Sequence, residues 1–294
     1  MTEVAPANTL IVMEATGSYW MHLATFLVHH GFAVSVINPK QAHHFAKALL
    51  QRAKTDTIDA HTLAQLAARL QPAIWTPSPA VYHELQQRLT HREALITMRQ
   101  QVRNQRHALL QQAYVVASVQ ARLDALIATL TTEIADVEAE IAAALRQDAA
   151  WSIAAAHLQT ITGVGRISTA WLLVATLNFT LCPTPKALTA YAGLAPQPHE
   201  SGTSIRGRPR MGHGGHAQLR RAVYLASLSA TQHNPAVRAF YQRLCTARKA
   251  KKVARCAAAR HLLHIAWAVA TTKQPFDLQY RNRAQHVVTV ARAC

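Results

Sequence analysis

The chain has 294 residues, half of them hydrophobic, which is enough for two domains with buried cores. Its 31 Lys and Arg residues against 14 Asp and Glu residues give a formal net charge of +17. This charge predicts a nucleic-acid partner, with an anionic membrane surface as the alternative. No apolar run reaches about 18 residues, so we expect no membrane contact through a spanning helix, and the start shows no signal-peptide pattern. The 4 cysteines lack paired metal spacing and are typical of reduced cytosolic thiols.

The first forty residues predict a strand, a helix and a second strand. Apolar residues 9–13 and 32–37 have the length and composition of buried strands, and residues 19–30 between them have a helical pattern. Two parallel strands joined by a crossover helix make one βαβ unit. A short helix within residues 40–52 and a longer one ending at Leu70 follow.

Acidic residues are scarce at the start of the chain, and three of the four before Glu84 fall in two short motifs. Glu14 ends the first strand, at the carboxyl end where α/β folds place their sites. Asp56 and Asp59 stand three residues apart at the start of a helical pattern and therefore share one face. Three neighbouring carboxylates repel one another unless a cation lies between them, and oxygen ligands suit Mg²⁺ or Mn²⁺. The sequence predicts a metal site here; Asp56 and Asp59 alone would indicate only a charge pair at a helix N-terminus.

Prolines within residues 72–79 indicate a linker, and residues 80–148 after it contain neither proline nor glycine. The second part of this region has an apolar seam whose steps alternate between four and three residues, the heptad signature of a coiled coil. The seam consists of Leu123, Ile127, Leu130, Ile134, Val137, Ile141 and Ala144. We interpret the region as a helical hairpin used for self-association or as a spacer, with a helix pair of the core as the alternative.

The last third of the chain is strongly basic. From Ser201 to the end there are seventeen Lys and Arg residues and one acid, Asp277. Residues 201–210 are so rich in glycine and arginine that we expect no regular element, only a loop that is disordered or ordered by a polyanion. Helices are predicted over residues 217–231 and 253–270, and residues 277–294 are predicted to be a disordered tail.

Several residues in the second half of the chain are candidate nucleic-acid contacts. An apolar Gly-x-Gly turn opens a helix over residues 167–177, as in a helix-hairpin-helix, and its amides could hold a phosphate. A tight interhelical turn would explain the same glycines equally well. The candidates are Gly163, Gly165, Arg206, Arg208, Arg210, Arg220, Arg221, Lys249, Lys251 and Lys252.

Three carboxylates with a divalent metal in a polybasic protein indicate phosphodiester chemistry, although a two-metal site usually has four carboxylates. Ser201 adds a possible nucleophile, because a serine among glycines and arginines can attack phosphorus if its proton is removed. A serine that only contacts a phosphate is the alternative interpretation.

Several motifs in order resemble one family. They are Glu14–Tyr19 (EATGSY), Val34–Pro39 (VSVINP), Lys54–Ala60 (KTDTIDA), Ile161–Gly165 (ITGVG), Tyr191–Pro196 (YAGLAP), Ser201–Gly207 (SGTSIRG), Gly214–His216 (GGH) and Leu219–Ala222 (LRRA). Together they resemble the DEDD-type insertion-sequence transposases, which are relatives of the Piv DNA invertase and include bridge-RNA-guided recombinases. The similarity covers roughly residues 9–276.

The resemblance implies a fold of the α/β plus all-α class. It divides the chain into a truncated RuvC-like (RNase-H fold) DEDD domain over residues 1–72, a linker and helical coiled coil over 73–150, and a mainly helical C-terminal transposase domain over 151–276. The helix-hairpin-helix-like turn and the Ser201 loop belong to the last domain.

The resemblance also implies an activity. Glu14, Asp56 and Asp59 would bind Mg²⁺ or Mn²⁺, and Ser201 would cleave DNA to give a 5′-phosphoserine intermediate before strand exchange. It further implies a structured guide RNA, a homo-oligomer (dimer or tetramer), and a cytoplasmic, nucleoid-associated location in a prokaryote.

One feature departs from the family pattern. The family begins with a strand that carries a first catalytic Asp, whereas here no Asp precedes Asp56. We therefore expect the chain as written to be inactive or badly impaired while it still binds nucleic acid. The alternatives are a non-catalytic nucleic-acid-binding remnant and a metal-dependent Holliday-junction nuclease that uses water.

Overall fold

The computed structural model describes residues 5–50, 55–201, 205–211 and 214–278. Most of these residues are helical, and the strands form one parallel and one antiparallel two-stranded sheet. The chain divides into two compact units, residues 1–78 and 79–294. The layout expected from the sequence, an α/β part followed by a mainly helical part, is confirmed, although the second part also contains a β-hairpin that the all-α class did not include. Most of the predicted disordered tail, from residue 279 on, lies outside the described residues.

The first unit contains the predicted βαβ arrangement. Its elements are β1 (Leu10–Glu14), α1 (Tyr19–His29), β2 (Ala33–Ile37), α2 (Pro39–Ala48) and α3 (Asp56–Leu70). The two strands are parallel, with a register that runs from Leu10 opposite Ala33 to Glu14 opposite Ile37. The parallel pairing follows from the crossover through α1, because a helix between two strands returns the chain to the same edge in the same direction.

The chain that follows α3 covers the second edge of β2. The backbone N–H of Trp75 donates to the carbonyl oxygen of Val34 at 2.7 Å. The buried hydroxyl of Ser35 lies 2.8 Å from the carbonyl oxygen of Ala73 and 3.1 Å from that of Pro72. Residues 72–75, part of the predicted linker, therefore satisfy polar groups of β2 that would otherwise be buried without partners.

The second unit is built from eight helices and one hairpin within the described residues. They are α4 (Ala80–Leu109), α5 (Ala117–Gln147), α6 (Ala149–Gln159), α7 (Arg166–Thr176), α8 (Pro185–Tyr191), β3 (Pro196–Ser201), β4 (Ile205–Met211), α9 (Ala217–His233), α10 (Pro235–Thr246) and α11 (Lys251–Thr272). Helix α7 is at the centre, with every residue from Thr169 to Thr176 buried. One continuous hydrophobic core joins α4 and α5 to the C-terminal helices.

Helices α4 and α5 form an antiparallel hairpin. Arg92 pairs with Glu138, and Arg106, closer to the turn between the helices, pairs with Asp124. Residues later in α4 therefore contact residues earlier in α5, as in an antiparallel pair. The predicted apolar seam of α5 belongs to the hydrophobic core of this unit, together with the buried face of α4. The predicted helical hairpin is therefore observed, and its apolar seam packs within the core of the same chain. No helix of the described residues is long and apolar enough to cross a membrane.

Candidate catalytic and nucleic-acid-binding residues

Glu14 lies at the carboxyl end of β1, where the sequence analysis placed it. The strand register continues one step past it, because the Ala15 N–H donates to the Ile37 carbonyl oxygen at 3.0 Å. The Thr16 hydroxyl donates to Glu14 Oε1 at 2.8 Å, which holds the carboxylate beside the turn that leads to α1. The side chain is half-buried, so one oxygen is fixed by the protein while the carboxylate keeps access to solvent.

Asp56 and Asp59 occupy the first turn of α3, and both are exposed. Thr55 is the N-cap of this helix: its hydroxyl oxygen accepts from the Ile58 N–H at 3.3 Å. Carboxylates in a first turn interact favourably with the partial positive charge of the helix N-terminus. Helix α3 packs against β1, so the two elements that carry the three predicted ligands contact each other.

The donor chemistry of these three residues fits Mg²⁺ or Mn²⁺, since all six side-chain oxygens are hard ligands. Their arrangement is less complete. Among the residues that the structure describes, no three His, Cys, Asp or Glu side chains come close enough together to hold one metal ion. Contacting elements therefore present the predicted ligands, but the ligands are not brought into a single group.

Ser201 lies at the last position of β3, where it pairs with Ile205 at the start of β4. The prediction that residues 201–210 form no regular element is wrong, because most of them belong to an antiparallel hairpin. The three residues that join its strands, 202–204, lie outside the described residues. The structure thus places the candidate nucleophile at the closed end of a two-stranded hairpin.

The sequence contained a signal for this hairpin. Arg206, Arg208 and Arg210 all fall within β4, and they alternate with uncharged residues. Alternation with a period of two is the pattern of a strand. The prediction of a loop rested on the glycine and arginine content of this segment, and its alternation indicates the strand that is observed.

The two glycines of the predicted helix-hairpin-helix turn have different surroundings. Gly163 has φ of +100°, and a Cβ there would lie 2.7 Å from both the Cβ and the backbone N of Ala230. Its glycine is therefore required for close packing of the turn on α9. Gly165 is the N-cap of α7, is exposed, and has open space around it. Of the pair, Gly165 is the one whose position leaves room for a phosphate.

Arg220 and Arg221, on the first turns of α9, both have partners inside the protein. Arg220 Nη1 donates to the carbonyl oxygen of Gly214 at 3.0 Å. Arg221 Nη1 donates to Glu93 Oε2 on α4 at 2.6 Å. Glu93 is only 14% exposed in its side chain and also accepts from Arg92 at 3.0 Å. The two arginines remain predicted nucleic-acid contacts, but each already stabilises the fold.

Lys249, Lys251 and Lys252 are exposed where the chain passes from α10 to α11. Within the described part of the chain no carboxylate forms an ion pair with any of them. Next to them on α10, the Arg243 guanidinium lies 5.2 Å from the centre of the Phe240 ring. Exposed cations without intramolecular partners are the groups that a phosphate backbone can neutralise.

Two residues that organise this unit, Asn234 and His216, were not assigned this role from the sequence. Asn234 is fully buried; its Oδ1 accepts from the N–H groups of Ala236 and Val237, and its Nδ2 donates to the Thr162 carbonyl oxygen at 3.2 Å. The Asn-Pro pair at 234–235 is a helix-start signal that could have revealed it. His216 caps α9, because its Nδ1 accepts from the Leu219 N–H at 3.1 Å.

Comparison with known proteins gives consistent matches. Residues 2–115 match a family described as transposase, and residues 155–242 match the transposase IS116/IS110/IS902 family. The pilin gene-inverting protein of Moraxella bovis is 32% identical over 272 residues, which cover 91% of this chain and 81% of that protein. Its counterpart in Moraxella lacunata is equally similar. An uncharacterized 43.6 kDa protein of insertion element IS110 from Streptomyces coelicolor is 43% identical over 88 residues, which cover 29% of this chain and 21% of that protein.

Proposed function

We propose that this chain, which belongs to the IS110-type family of transposases, breaks and rejoins DNA strands with Ser201 as the nucleophile. Membership of the family makes DNA recombination the class of reaction. The observation that carries the finer proposal is the position of Ser201 at the closed end of a hairpin whose second strand contains three arginines. A serine at the end of a strand, next in sequence to a segment that supplies three arginines able to neutralise phosphate charge, suits attack on a phosphodiester.

In the proposed step, Ser201 Oγ attacks the phosphorus of a phosphodiester and loses its proton. The bond from phosphorus to the 3′ oxygen breaks, and that oxygen leaves as a 3′-hydroxyl after it takes up a proton. The product is a 5′-phosphoserine. Attack by the 3′-hydroxyl of another strand reverses the same bond changes, so strands are exchanged without an external energy source.

The proposed metal ligands are Glu14, Asp56 and Asp59, on a first unit that we interpret as a RuvC-like domain. Support comes from the parallel βαβ arrangement, from Glu14 at a strand end and from the packing of α3 on β1. A bound Mg²⁺ or Mn²⁺ would supply positive charge next to a phosphate. The part of this chain in that chemistry is to present oxygen ligands, one of them oriented by Thr16.

DNA is the substrate, and we propose a structured guide RNA and a homo-oligomer as further partners. The net charge of +17 and the exposed Lys249, Lys251 and Lys252 support a large nucleic-acid surface. The α4–α5 hairpin, our proposed coiled-coil domain, is a candidate for self-association, because two helices of about 30 residues offer a long outer face.

The proposal is tested by expressing the gene together with its flanking DNA and detecting rearranged junctions. Wild-type protein should give junctions at the low level expected of a site with three carboxylates, and Ser201→Ala and Asp56→Asn should abolish them. Asp136→Asn, which removes an exposed acid of α5, is the matched control and should leave them unchanged. Loss of junctions in the control, or their persistence in Ser201→Ala, would contradict the proposal.

Metal binding is tested separately by titration of Mn²⁺ and its paramagnetic signal. Asp56→Asn should weaken binding, and Asp136→Asn should not. Equal binding by all variants would favour a protein that binds nucleic acid without a metal. Rearrangement by cleavage without a serine adduct would favour a water-using junction nuclease.

A further inference from the structure

We propose that a backbone clasp at the open end of the β3–β4 hairpin positions Ser201, and that Arg220 closes this clasp. The clasp consists of Tyr191, Ala192 and Gly193 before β3 and of Gly214, Gly215, His216 and Arg220 after β4. This inference rests on the proposed function, because it gives the clasp its role in attack by Ser201.

The two chain segments of the clasp touch through their backbones. Gly215 has φ of +95°, and a Cβ on it would lie 2.6 Å from the Gly193 N and 2.7 Å from the Tyr191 carbonyl oxygen. Gly193 has φ of +68°, and a Cβ there would overlap the Gly214 carbonyl oxygen and Arg220 Nη1. The His216 N–H donates to the Tyr191 carbonyl oxygen at 2.7 Å. Glycine is required at both positions, since the backbone conformation and the contact each exclude a side chain.

Arg220 joins the two segments with one nitrogen. Its Nη1 donates to the Gly214 carbonyl oxygen at 3.0 Å and lies 3.5 Å from the Ala192 carbonyl oxygen, at the long limit of a hydrogen bond. The first carbonyl follows the hairpin and the second precedes it. A guanidinium suits this role because it stays charged and presents several donors in a fixed plane.

The neighbouring residues tie the clasp to the helical core. His216 caps α9, and its ring centre lies 5.7 Å from that of Tyr191 and 6.4 Å from that of Trp171 on α7. Arg221, adjacent to Arg220, donates to Glu93 of α4. The first two turns of α9 therefore contact the clasp through Arg220 and His216 and the α4–α5 helical hairpin through Arg221.

The length of the hairpin explains why the position of Ser201 depends on how firmly the clasp holds the other end of the hairpin. The hairpin runs from the pair Pro196–Met211 at the clasp to the pair Ser201–Ile205 at its far end, and its strands have no third strand beside them among the described residues. An isolated two-stranded hairpin is only marginally stable. Five residue steps span about 17 Å, so a tilt of about 10° at the base moves the far end by about 3 Å. A displacement of about 1 Å is already enough to slow a reaction about a hundredfold.

Arg220→Gln tests the inference, with Arg238→Gln as control. Arg238 is an exposed arginine of α10 outside the clasp, so both variants remove one positive charge. The measurement is the single-turnover rate of covalent attachment to saturating DNA that carries a junction sequence from the rearrangement assay, together with the apparent Kd for that DNA. Arg220→Gln should lower the rate about tenfold or more with an unchanged Kd, Arg220→Lys should recover part of it, and the control should match wild type.

A second readout does not depend on catalysis. Amide hydrogen exchange in residues 196–211 should speed up in Arg220→Gln, while exchange in α7 stays as in wild type. Contact with a phosphate, the role predicted for Arg220 from the sequence, is the competing explanation. A raised Kd, with a salt slope reduced by about one and an unchanged rate, would support it and overturn the clasp. Unchanged exchange in the hairpin would also overturn it. If wild-type protein forms no adduct but Arg220→Gln still loosens the hairpin, the clasp stands and the proposed nucleophile fails.

Discussion

Asn234 makes three hydrogen bonds from a fully buried position and joins the turn that precedes α7 to the start of α10. Asn234→Ala removes all three and leaves the Thr162 carbonyl oxygen without this partner. We expect the free energy of unfolding of the second unit to fall by about 2–3 kcal/mol. Urea denaturation followed by circular dichroism measures this loss.

The control for this prediction is Gln242→Ala, on the exposed face of α10. It should change the free energy of unfolding by less than about 0.5 kcal/mol. Equal effects of the two substitutions would show that the buried Asn234 side chain does not stabilise the turn before α7.

His216 gives the fold a dependence on pH. Burial lowers the pKa of His216 from 6.5 in the folded protein, and Nδ1 must be unprotonated to accept from the Leu219 N–H. The unfolded chain therefore binds a proton more readily than the folded chain, and stability falls as the pH drops below about 6.5 through the lowered pKa. Tyr191 faces the ring, and Arg220 lies one turn further along α9.

The test is His216→Asn, because asparagine also caps helices but does not titrate. Its free energy of unfolding should fall less than that of wild type between pH 7 and pH 5. His91→Asn, an exposed histidine of α4, should retain the wild-type dependence. A parallel acid dependence for His216→Asn and wild type would contradict the prediction.

At the scale of elements, Glu93 joins three helices. It accepts from Arg92 on its own helix and from Arg221 on α9, while Arg92 also pairs with Glu138 on α5. Glu93→Ala leaves Arg221 without its carboxylate and leaves Arg92, whose side chain is only 15% exposed, with Glu138 alone, so we expect a loss of about 2 kcal/mol. Thermal or urea unfolding measures it.

Glu84→Ala is the matched comparison on the same helix. Glu84 pairs with Arg88 one turn away, and its side chain is 42% exposed, so the loss should stay below about 1 kcal/mol. The prediction fails if Glu84→Ala costs as much as Glu93→Ala.

The elements themselves were largely predictable, because local patterns determine them. The strands around α1, the start of α3 after Thr55 and the seam of α5 each follow from spacing within a few residues. Contacts between distant residues could not be read in this way. Glu93 lies 128 residues from Arg221, and Asn234 lies 72 residues from Thr162. The β3–β4 hairpin was missed because composition was weighed above alternation.

For the whole molecule, the sequence predicted a basic protein of the transposase class, and the relatives confirm that class. The candidate site was predicted less completely. Glu14, Asp56 and Asp59 lie on β1 and on α3, which packs against it, yet the residues that the structure describes contain no closed group of three ligands. Whether three ligands converge on one cation depends on the orientation of their side chains, and residue spacing alone does not determine this orientation.

The central claim is that Ser201 becomes linked to DNA, and the most direct measurement is to trap that link. The protein is incubated with nicked DNA that carries a junction sequence from the rearrangement assay. The adduct is isolated under denaturing conditions, and mass spectrometry of its peptides locates the attachment. We predict a nucleotide attached through its 5′ phosphate to Ser201, and no adduct from Ser201→Ala. An adduct on another residue, or an adduct that persists in Ser201→Ala, would contradict the claim.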